Sequence, residues 1–367
     1  MNPNSVTLCA VGDVMLGDSP VMVGMGVRSK NDAIKDASIF NSVRPILKNA
    51  DFCFGNLECV LADSKNAGNS LLLNQMRGRP EDGKRLKETG FNVMSVANNH
   101  IMQHGKRPYH DTLCLLERNN IKPVGIAEDK DLCVPFFRAI KGLIFCFLAY
   151  SLRPEKYCTE AEVLYAKTQV SSIVTQLRSL KRECDVIVLS LHWGDEFIEV
   201  PAQEQIESAH LLIDAGASII LGHHSHTLQG IERYKHGVIA YSLGNFVFDF
   251  FQRRLRKSII LNLEITKNEI DYRIYPVYIT RNFCPILPNE ALGKSIVHKI
   301  QKLSRMVYEI QKRGDAFYKL RVKINSLLIK IENRIFFILN FSNYPGTIAY
   351  QSLANFFSIR LRRKSNK

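Results

Sequence analysis

Three of the ten histidines in this 367-residue chain fall within four positions, inside Leu221-Gly222-His223-His224-Ser225-His226. The apolar run Ala217-Ser218-Ile219-Ile220-Leu221 leads into them and reads as a buried strand that stops at a glycine. Two imidazoles with one residue between them, hung from a strand end, suit a divalent metal. Alone, the segment reads equally well as a polar loop. The other strand-like runs separate the two readings. Val6–Val11 ends in Gly12-Asp13, and Phe52-Cys53-Phe54 runs into Gly55-Asn56-Leu57-Glu58. Phe91–Ala97 ends in Asn98-Asn99-His100, and Asp185–Leu191 in His192-Trp193-Gly194. An acid after a strand is ordinarily a turn residue or a helix cap. Here five strand ends carry Asp13, Glu58, Asn99-His100, His192 and His224/His226, and a metal centre at one sheet edge explains them together.

The elements that must hold these groups are those of an α/β fold. Helices are expected over 34–49, 83–88, 109–119, 163–182 and 201–215. A hairpin is expected from Phe136–Ile140 and Leu143–Tyr150 around Lys141-Gly142. Residues 238–242 read as a strand, 258–265 and 272–279 as antiparallel strands, and 62–80 as a loop rich in Asn, Ser and Gly.

The ordered blocks Gly12-Asp13-Val14-Met15-Leu16-Gly17, Gly55-Asn56-Leu57-Glu58, Ala97-Asn98-Asn99-His100, Leu191-His192-Trp193-Gly194, Gly222-His223-His224-Ser225-His226 and Ser242-Leu243-Gly244-Asn245-Phe246 closely resemble the CapA family. That family is the capsule synthesis, poly-γ-glutamate biosynthesis group, itself similar to calcineurin-type metallophosphoesterases. The resemblance covers about residues 5–285 and implies a four-layer α/β/β/α metallophosphoesterase-like sandwich with a C-terminal helical extension. It implies two divalent ions (Mn, Fe or Zn) and a phosphate-containing or polymer substrate. Asp13 would hold the first ion, Glu58 would bridge both, Asn99, His192 and His224 would hold the second, and His226 would return to the first. His100 would stand beside them as a proton donor or a phosphate contact. Oxygen and imidazole ligands accept such ions, and two ions about 3.5–4 Å apart generate hydroxide and clamp a phosphate in line.

Phosphoesterases place a histidine two residues after the first Asp, where this chain has Met15. A thioether is a poor ligand for a hard ion. The first position therefore has three protein ligands, unless a neighbour such as Asp18 joins. His223 is expected to turn away. Two functions stay open: a metal-dependent phosphoesterase-like hydrolase in capsule or surface-polymer synthesis, and a non-catalytic metal- or polymer-binding subunit of a membrane-associated synthase. Trp193 is expected to pack on a sheet; Asn245 and Asp249 either join the pocket or cap a turn. Arg153 and Arg281 suit an anion, and His104 and His110 read as surface residues.

Charge sets off the tail. Residues 291–367 hold 16 Lys/Arg against 3 Asp/Glu, while the rest hold 33 against 32, so a boundary falls near residue 290. The near-neutral main part shows no basic stripe and argues against nucleic acid. In the tail, Ile296, Ile300, Leu303, Val307 and Ile310, then Phe317, Leu320, Ile324, Leu327 and Ile331, step by threes and fours as amphipathic helices do. Ile335–Ile359 carries no charge. A membrane surface or a synthase partner fits that pattern, as does a helical cap on the main domain or on a second copy. Nine cysteines without a CxxC pair, among them Cys9, Cys53, Cys146 and Cys184 in apolar runs, suggest free thiols in a reducing compartment. With no basic, apolar leader visible, the expected place is the cytoplasm, peripheral to the inner membrane face.

Overall fold

The computed structural model describes residues 5–33, 39–63, 75–128, 132–154, 157–158, 162–310, 315–344 and 346. The chain opens with β1 (Val6–Val14), α1 (Val27–Ala33), the single turn α2 (Arg44–Leu47) and β2 (Phe52–Leu57). Two short strands, β3 (Val60–Leu61) and β4 (Arg77–Gly78), precede α3 (Glu81–Thr89), β5 (Val93–Ser95), α4 (Lys106–Arg118) and β6 (Lys122–Val124). The hairpin of β7 (Phe136–Ile140) and β8 (Leu143–Ser151) leads to α5 (Val170–Leu180), β9 (Val186–His192), α6 (Gln203–Ala215) and β10 (Ile219–His223). Six strands follow: β11 (Ile231–Tyr234), β12 (Gly237–Ala240), β13 (Asn245–Val247), β14 (Lys257–Ile265), β15 (Ile270–Ile279) and β16 (Pro285–Ile286). Two long helices, α7 (Glu290–Ile310) and α8 (Asp315–Leu339), come last.

Two sheets carry the architecture. The first runs β16-β15-β14-β1-β2-β5-β6, with β13 also paired to β1; the second runs β11-β12-β10-β9-β8-β7. Strands β1, β2, β5 and β6 are mutually parallel, as are β8, β9, β10 and β12. The sheets face each other through aromatic rings: Phe52 on β2 lies 5.0 Å from Phe145 and 4.9 Å from Phe147 on β8. Strand β8 shows why its sequence is apolar throughout. Phe145, Phe147 and Ala149 enter the core between the sheets, while Cys146, Leu148 and Tyr150 enter a second core under α5 and α6. A strand buried on both faces has no polar alternation to offer. With α3 and α4 contributing Leu86, Tyr109 and Leu116 to the first core, the layers are α/β/β/α. The hairpin stands where the sequence placed it, with Ile140 paired to Leu143.

Some expectations fail. The helix expected over 163–182 exists only as α5. Residues before it are held extended, because Ala166 N–H donates to Gly125 O and Ser151 N–H donates to Ala166 O. In the segment expected to be helical from 34 to 49, residues 34–38 lie outside the described residues, and the remainder holds only the turn α2. Within the 62–80 loop, β4 pairs with β3, while 64–74 lie outside the described residues. Strands β11 and β13 carried no clear signal. All nine cysteines are free thiols, but Cys184 is only half-buried and Cys114 is exposed.

The tail divides. On α7, Ile296, Ile300, Leu303 and Val307 are all buried, so this stripe caps the main body. On α8 the expected stripe faces outward instead: Leu320, Ile324, Leu327 and Ile331 are exposed. The residues that turn inward are Tyr318 and Val322, Ile329 and Phe336. Among the described residues no helix is long and apolar enough to cross a membrane. Most of the charge-free stretch, residues 345 and 347–359, lies outside them.

Candidate metal centre

Strand register brings the chemistry-bearing residues into two facing rows. In the first sheet Asp13 pairs with Asn56 and with Asn245, and Asn56 pairs with Ser95. In the second, His192 pairs with Ser151 and with His223. Parallel strands end together, so their carboxyl edges share one cleft. Glu58 follows β2, Asn99 and His100 follow β5, and His224 and His226 follow β10. Both of the latter have left-handed backbones, φ 86° and 54°. That conformation is costly for a residue with a side chain and recurs where function dictates it.

All six expected ligand residues meet at this edge. His226 Nδ1 lies 3.4 Å from Asp13 Oδ2, and its Nε2 lies 3.8 Å from Glu58 Oε1. On the other side of Glu58 Oε1, His192 Nε2 stands at 3.8 Å, with Asn99 Oδ1 2.7 Å from that same nitrogen. The His192 and His224 rings are 4.6 Å apart. Two overlapping triplets, Glu58/His224/His226 and Asp13/Glu58/His192, have ligand atoms all within 4.8 Å of one another.

The polar bookkeeping identifies what this cluster suits. Both Glu58 oxygens, both His224 ring nitrogens and His223 Nε2 are buried without a hydrogen-bond partner. Each such atom costs on the order of 1–3 kcal/mol when nothing meets it. Burial, and then the Asp13 carboxylate, pushes Glu58 well above the usual carboxylate range. Burial would also raise Asp13, but hydrogen bonds from His223 and His226 outweigh it and hold Asp13 well below its ordinary value. Burial pushes His192 and His224 far down, which keeps them neutral and lone-pair bearing. Burial would lower His226 as well, yet Glu58 and Asp13 raise it to about 9. Two buried carboxylates beside neutral imidazoles are compatible with a divalent cation.

Several residues stand where the sequence did not put them. His223 does not turn away: its Nδ1 is 3.1 Å from Asp13 Oδ1, and its ring leans on Phe54 at 6.2 Å. Asn56 Nδ2 donates to Asp13 Oδ1 at 2.9 Å, while Asn98 Nδ2 donates to Asn56 Oδ1 at 3.1 Å and Leu57 O at 2.8 Å. Asn245 joins the site, its Oδ1 3.0 Å from His226 Nδ1. Asp18 is committed elsewhere, accepting from Gly24 N–H, Ser29 N–H and Ser29 Oγ. Met15 is buried in the hydrophobic core. Trp193 packs on Tyr241 and donates from Nε1 to Tyr241 O at 3.0 Å, as the sequence suggested. His104 is half-buried rather than superficial, with Nε2 2.6 Å from Gln75 O; His110 is exposed. Asp249 is buried, accepts from Ser19 N–H, and is raised to about 7 by that burial. Arg153 lines the cleft, whereas Arg281 is exposed beside Lys30.

His100 stands at the rim. Its Nδ1 is 2.9 Å from Gln103 Oε1, and its ring stacks on Tyr157 at 4.4 Å. Two cavities open on the cluster: one of about 350 Å³ reaches Asn99 and His224, and one of about 280 Å³ reaches His100 and His226.

Two facing sheets flanked by helices, with a buried carboxylate–imidazole cluster at their shared edge, define an α/β/β/α sandwich with a candidate metal centre. More narrowly, residues 7–250 match the family of bacterial capsule synthesis proteins, to which the chain belongs. It is 30% identical over 277 residues to the capsule biosynthesis protein CapA of Bacillus anthracis, covering 72% of this chain and 64% of that one. It is 29% identical over 300 residues to the PGA biosynthesis protein CapA of Bacillus subtilis, covering 79% and 78%. The chain thus spans slightly under two thirds of the length of the B. anthracis relative. A probable polyglutamine synthesis accessory protein of Mycobacterium tuberculosis shares 26% identity over 333 residues, 76% of this chain and 86% of that one. Among solved structures, a putative 5'-nucleotidase from Staphylococcus aureus superposes with a TM-score of 0.47 at 12% identity, over 82% of this chain and 58% of that one.

Proposed function

We propose that the chain is a divalent-metal-dependent, phosphoesterase-like hydrolase serving synthesis of a capsule or surface polymer, poly-γ-glutamate or polysaccharide. The partnerless buried donors around Glu58 carry this reading. Asp13, Glu58 and His226 would hold one ion, and Glu58, Asn99, His192 and His224 a second, of Mn, Fe or Zn. Such ions supply Lewis acidity to a phosphoryl oxygen and lower the pKa of a water. The chain's own residues do the rest. Asn56 and His223 fix the Asp13 carboxylate, and Asn245 orients His226. With Gln103 Oε1 accepting from Nδ1, His100 in its imidazolium form would give the Nε2 proton to a leaving oxygen and be left as the neutral Nδ1–H tautomer. In this reading residues 5–285 carry the site and 291–367 are an extension.

The accessory reading has one observation in its favour. Met15 lies in the core and Asp18 is spent on its loop, so the first position keeps three donors. Turnover of phosphodiesters and phosphomonoesters by the manganese-loaded protein separates the two. Hydrolysis lost by at least ~100-fold in Asp13→Ala and His192→Ala is expected; metal retained with no turnover on either ester type would leave the accessory role.

We further propose that α8's outward face, where Leu327 and Ile331 are 59% and 42% exposed, rests on the inner membrane surface or a synthase partner. Co-sedimentation with phosphatidylglycerol vesicles should fall several-fold in a Leu327→Ser/Ile331→Ser double variant. Equal sedimentation would remove the membrane from the proposal.

A further inference from the structure

Helix α8 lies beyond the family match at 7–250, yet it forms part of the wall of the metal cleft. Three of its residues, seven apart, tie it to the rim. Tyr318 Oη donates to Asp195 Oδ2 at 3.0 Å, and Asn325 Nδ2 donates to Phe197 O at 3.4 Å. Glu332 accepts two bonds from Arg254, each 2.6 Å. The Phe336 ring then stacks on Phe251 at 4.2 Å. So anchored, the helix presents Ser326 and Lys330 to the same cavity that reaches Asn99 and His224, and Arg153 lines that cavity too.

The charges within this cavity have an order. Glu196 lines both cavities that open on the candidate metal cluster. Asp195 is held by Tyr318 and lies 3.5 Å from Arg153. Among the described residues Lys330 makes no ion pair, and it is exposed although it lines a cavity. Cations bound at the cluster would offset Glu196, leaving the outer cavity with positive charge unanswered by protein.

We infer that Lys330 of α8 and Arg153 on the 151–154 segment form a subsite for an anionic group of the substrate, phosphate or carboxylate, beside the metals. The inference rests on the metal-centre reading proposed above and adds its substrate-selecting element. Arg153 supplies a planar fork and Lys330 a movable point charge, so the pair accepts either anion. The cavity of about 350 Å³ under a docked helix admits one such group with a slender chain, not a wide face of a folded partner.

The test uses full-length protein loaded with manganese, probed with inorganic phosphate and separately with glutamate. Lys330→Glu should weaken binding of at least one probe about tenfold or more, a loss of about 1.4 kcal/mol. Lys330→Gln and Arg153→Gln should do so less steeply, and Lys330→Arg should restore it. Manganese per chain should stay at the wild-type value in all four. Selective loss of phosphate assigns the subsite to phosphate, and selective loss of glutamate to carboxylate. Unchanged affinity for both probes in Lys330→Glu overturns the subsite and leaves the metal centre standing. Failure of the wild type to retain manganese overturns both.

Discussion

Glu58→Gln should fold, lose manganese, and melt higher than the wild type when both are stripped of metal. The sign follows from the site. Glu58 is fully buried beside Asp13, with no hydrogen bond to either oxygen, and its pKa is raised by that burial. An acid whose folded pKa lies above its unfolded value, about 4.3 for Glu, costs the metal-free fold more as pH rises past that value. In chelator the advantage of Glu58→Gln over the wild type should therefore widen from pH 5 to pH 8, because buried His192 and His224, which favour the metal-free fold as pH rises towards 6.5, act equally in both proteins. With manganese present the order reverses. A ligand at 100 times its dissociation constant stabilises by about 2.7 kcal/mol, a gain expected for the wild type and withheld from a variant in which the Glu58 carboxylate has become an amide. Manganese content by elemental analysis and melting curves at three pH values check both halves. A variant that keeps its metal, or melts lower than wild type in chelator, would refute the assigned role of Glu58.

The meeting of the candidate ligands was legible because parallel strands finish at a common edge, so chemistry at strand ends converges whatever the strand order. That Asp13, Glu58, Asn99, His100, His192, His224 and His226 would meet needed only that rule; which of them would hold an ion came from the family resemblance. His223 needed one more step. Leu221 enters the core between the sheets, and a strand alternates, so His223 had to face the same side as Leu221. Ending the strand at Leu221 hid this, since β10 continues through His223. Asn56 and Asn98 were visible as types, but their roles are relations across 42 or 43 residues that no local pattern encodes.

Helix α8 shows a different limit. Its exposed stripe has regular three-and-four spacing, which ordinarily marks the buried face. The docked face instead combines two seven-residue series, Tyr318/Asn325/Glu332 and Val322/Ile329/Phe336, one polar and one apolar. Periodicity shows that a helix has a stripe; what lies beneath decides which stripe it buries. Here the rim of the cleft offers Asp195, the Phe197 carbonyl and Arg254, and the helix answers with polar partners. The apolar stripe is then left exposed.

The second large effect is steric and sits one residue from the histidines. In Gly222→Ala the new Cβ would fall 1.9 Å from Tyr241 O and 2.7 Å from Trp193 Nε1. Those two atoms are bonded to each other at 3.0 Å, and Leu243 N–H donates to Gly222 O at 3.1 Å. Neither backbone nor indole can retreat without breaking the tie that seats Trp193 against Tyr241. Overpacking a closed site costs about 1–3 kcal/mol and occasionally more, and the closeness to a carbonyl places this one at the upper end. Displacement would pass directly to His223 and His224, so manganese affinity should fall with stability. Gly142→Ala is the control. It occupies the β7–β8 turn with φ 78° and nothing within 4 Å, so only the left-handed backbone strain applies, about 1–2 kcal/mol. Chemical denaturation should rank Gly222→Ala well below Gly142→Ala, with metal retained in the turn variant alone. Equal stability of the two would mean that β10 and the Tyr241 segment are not in the close contact described.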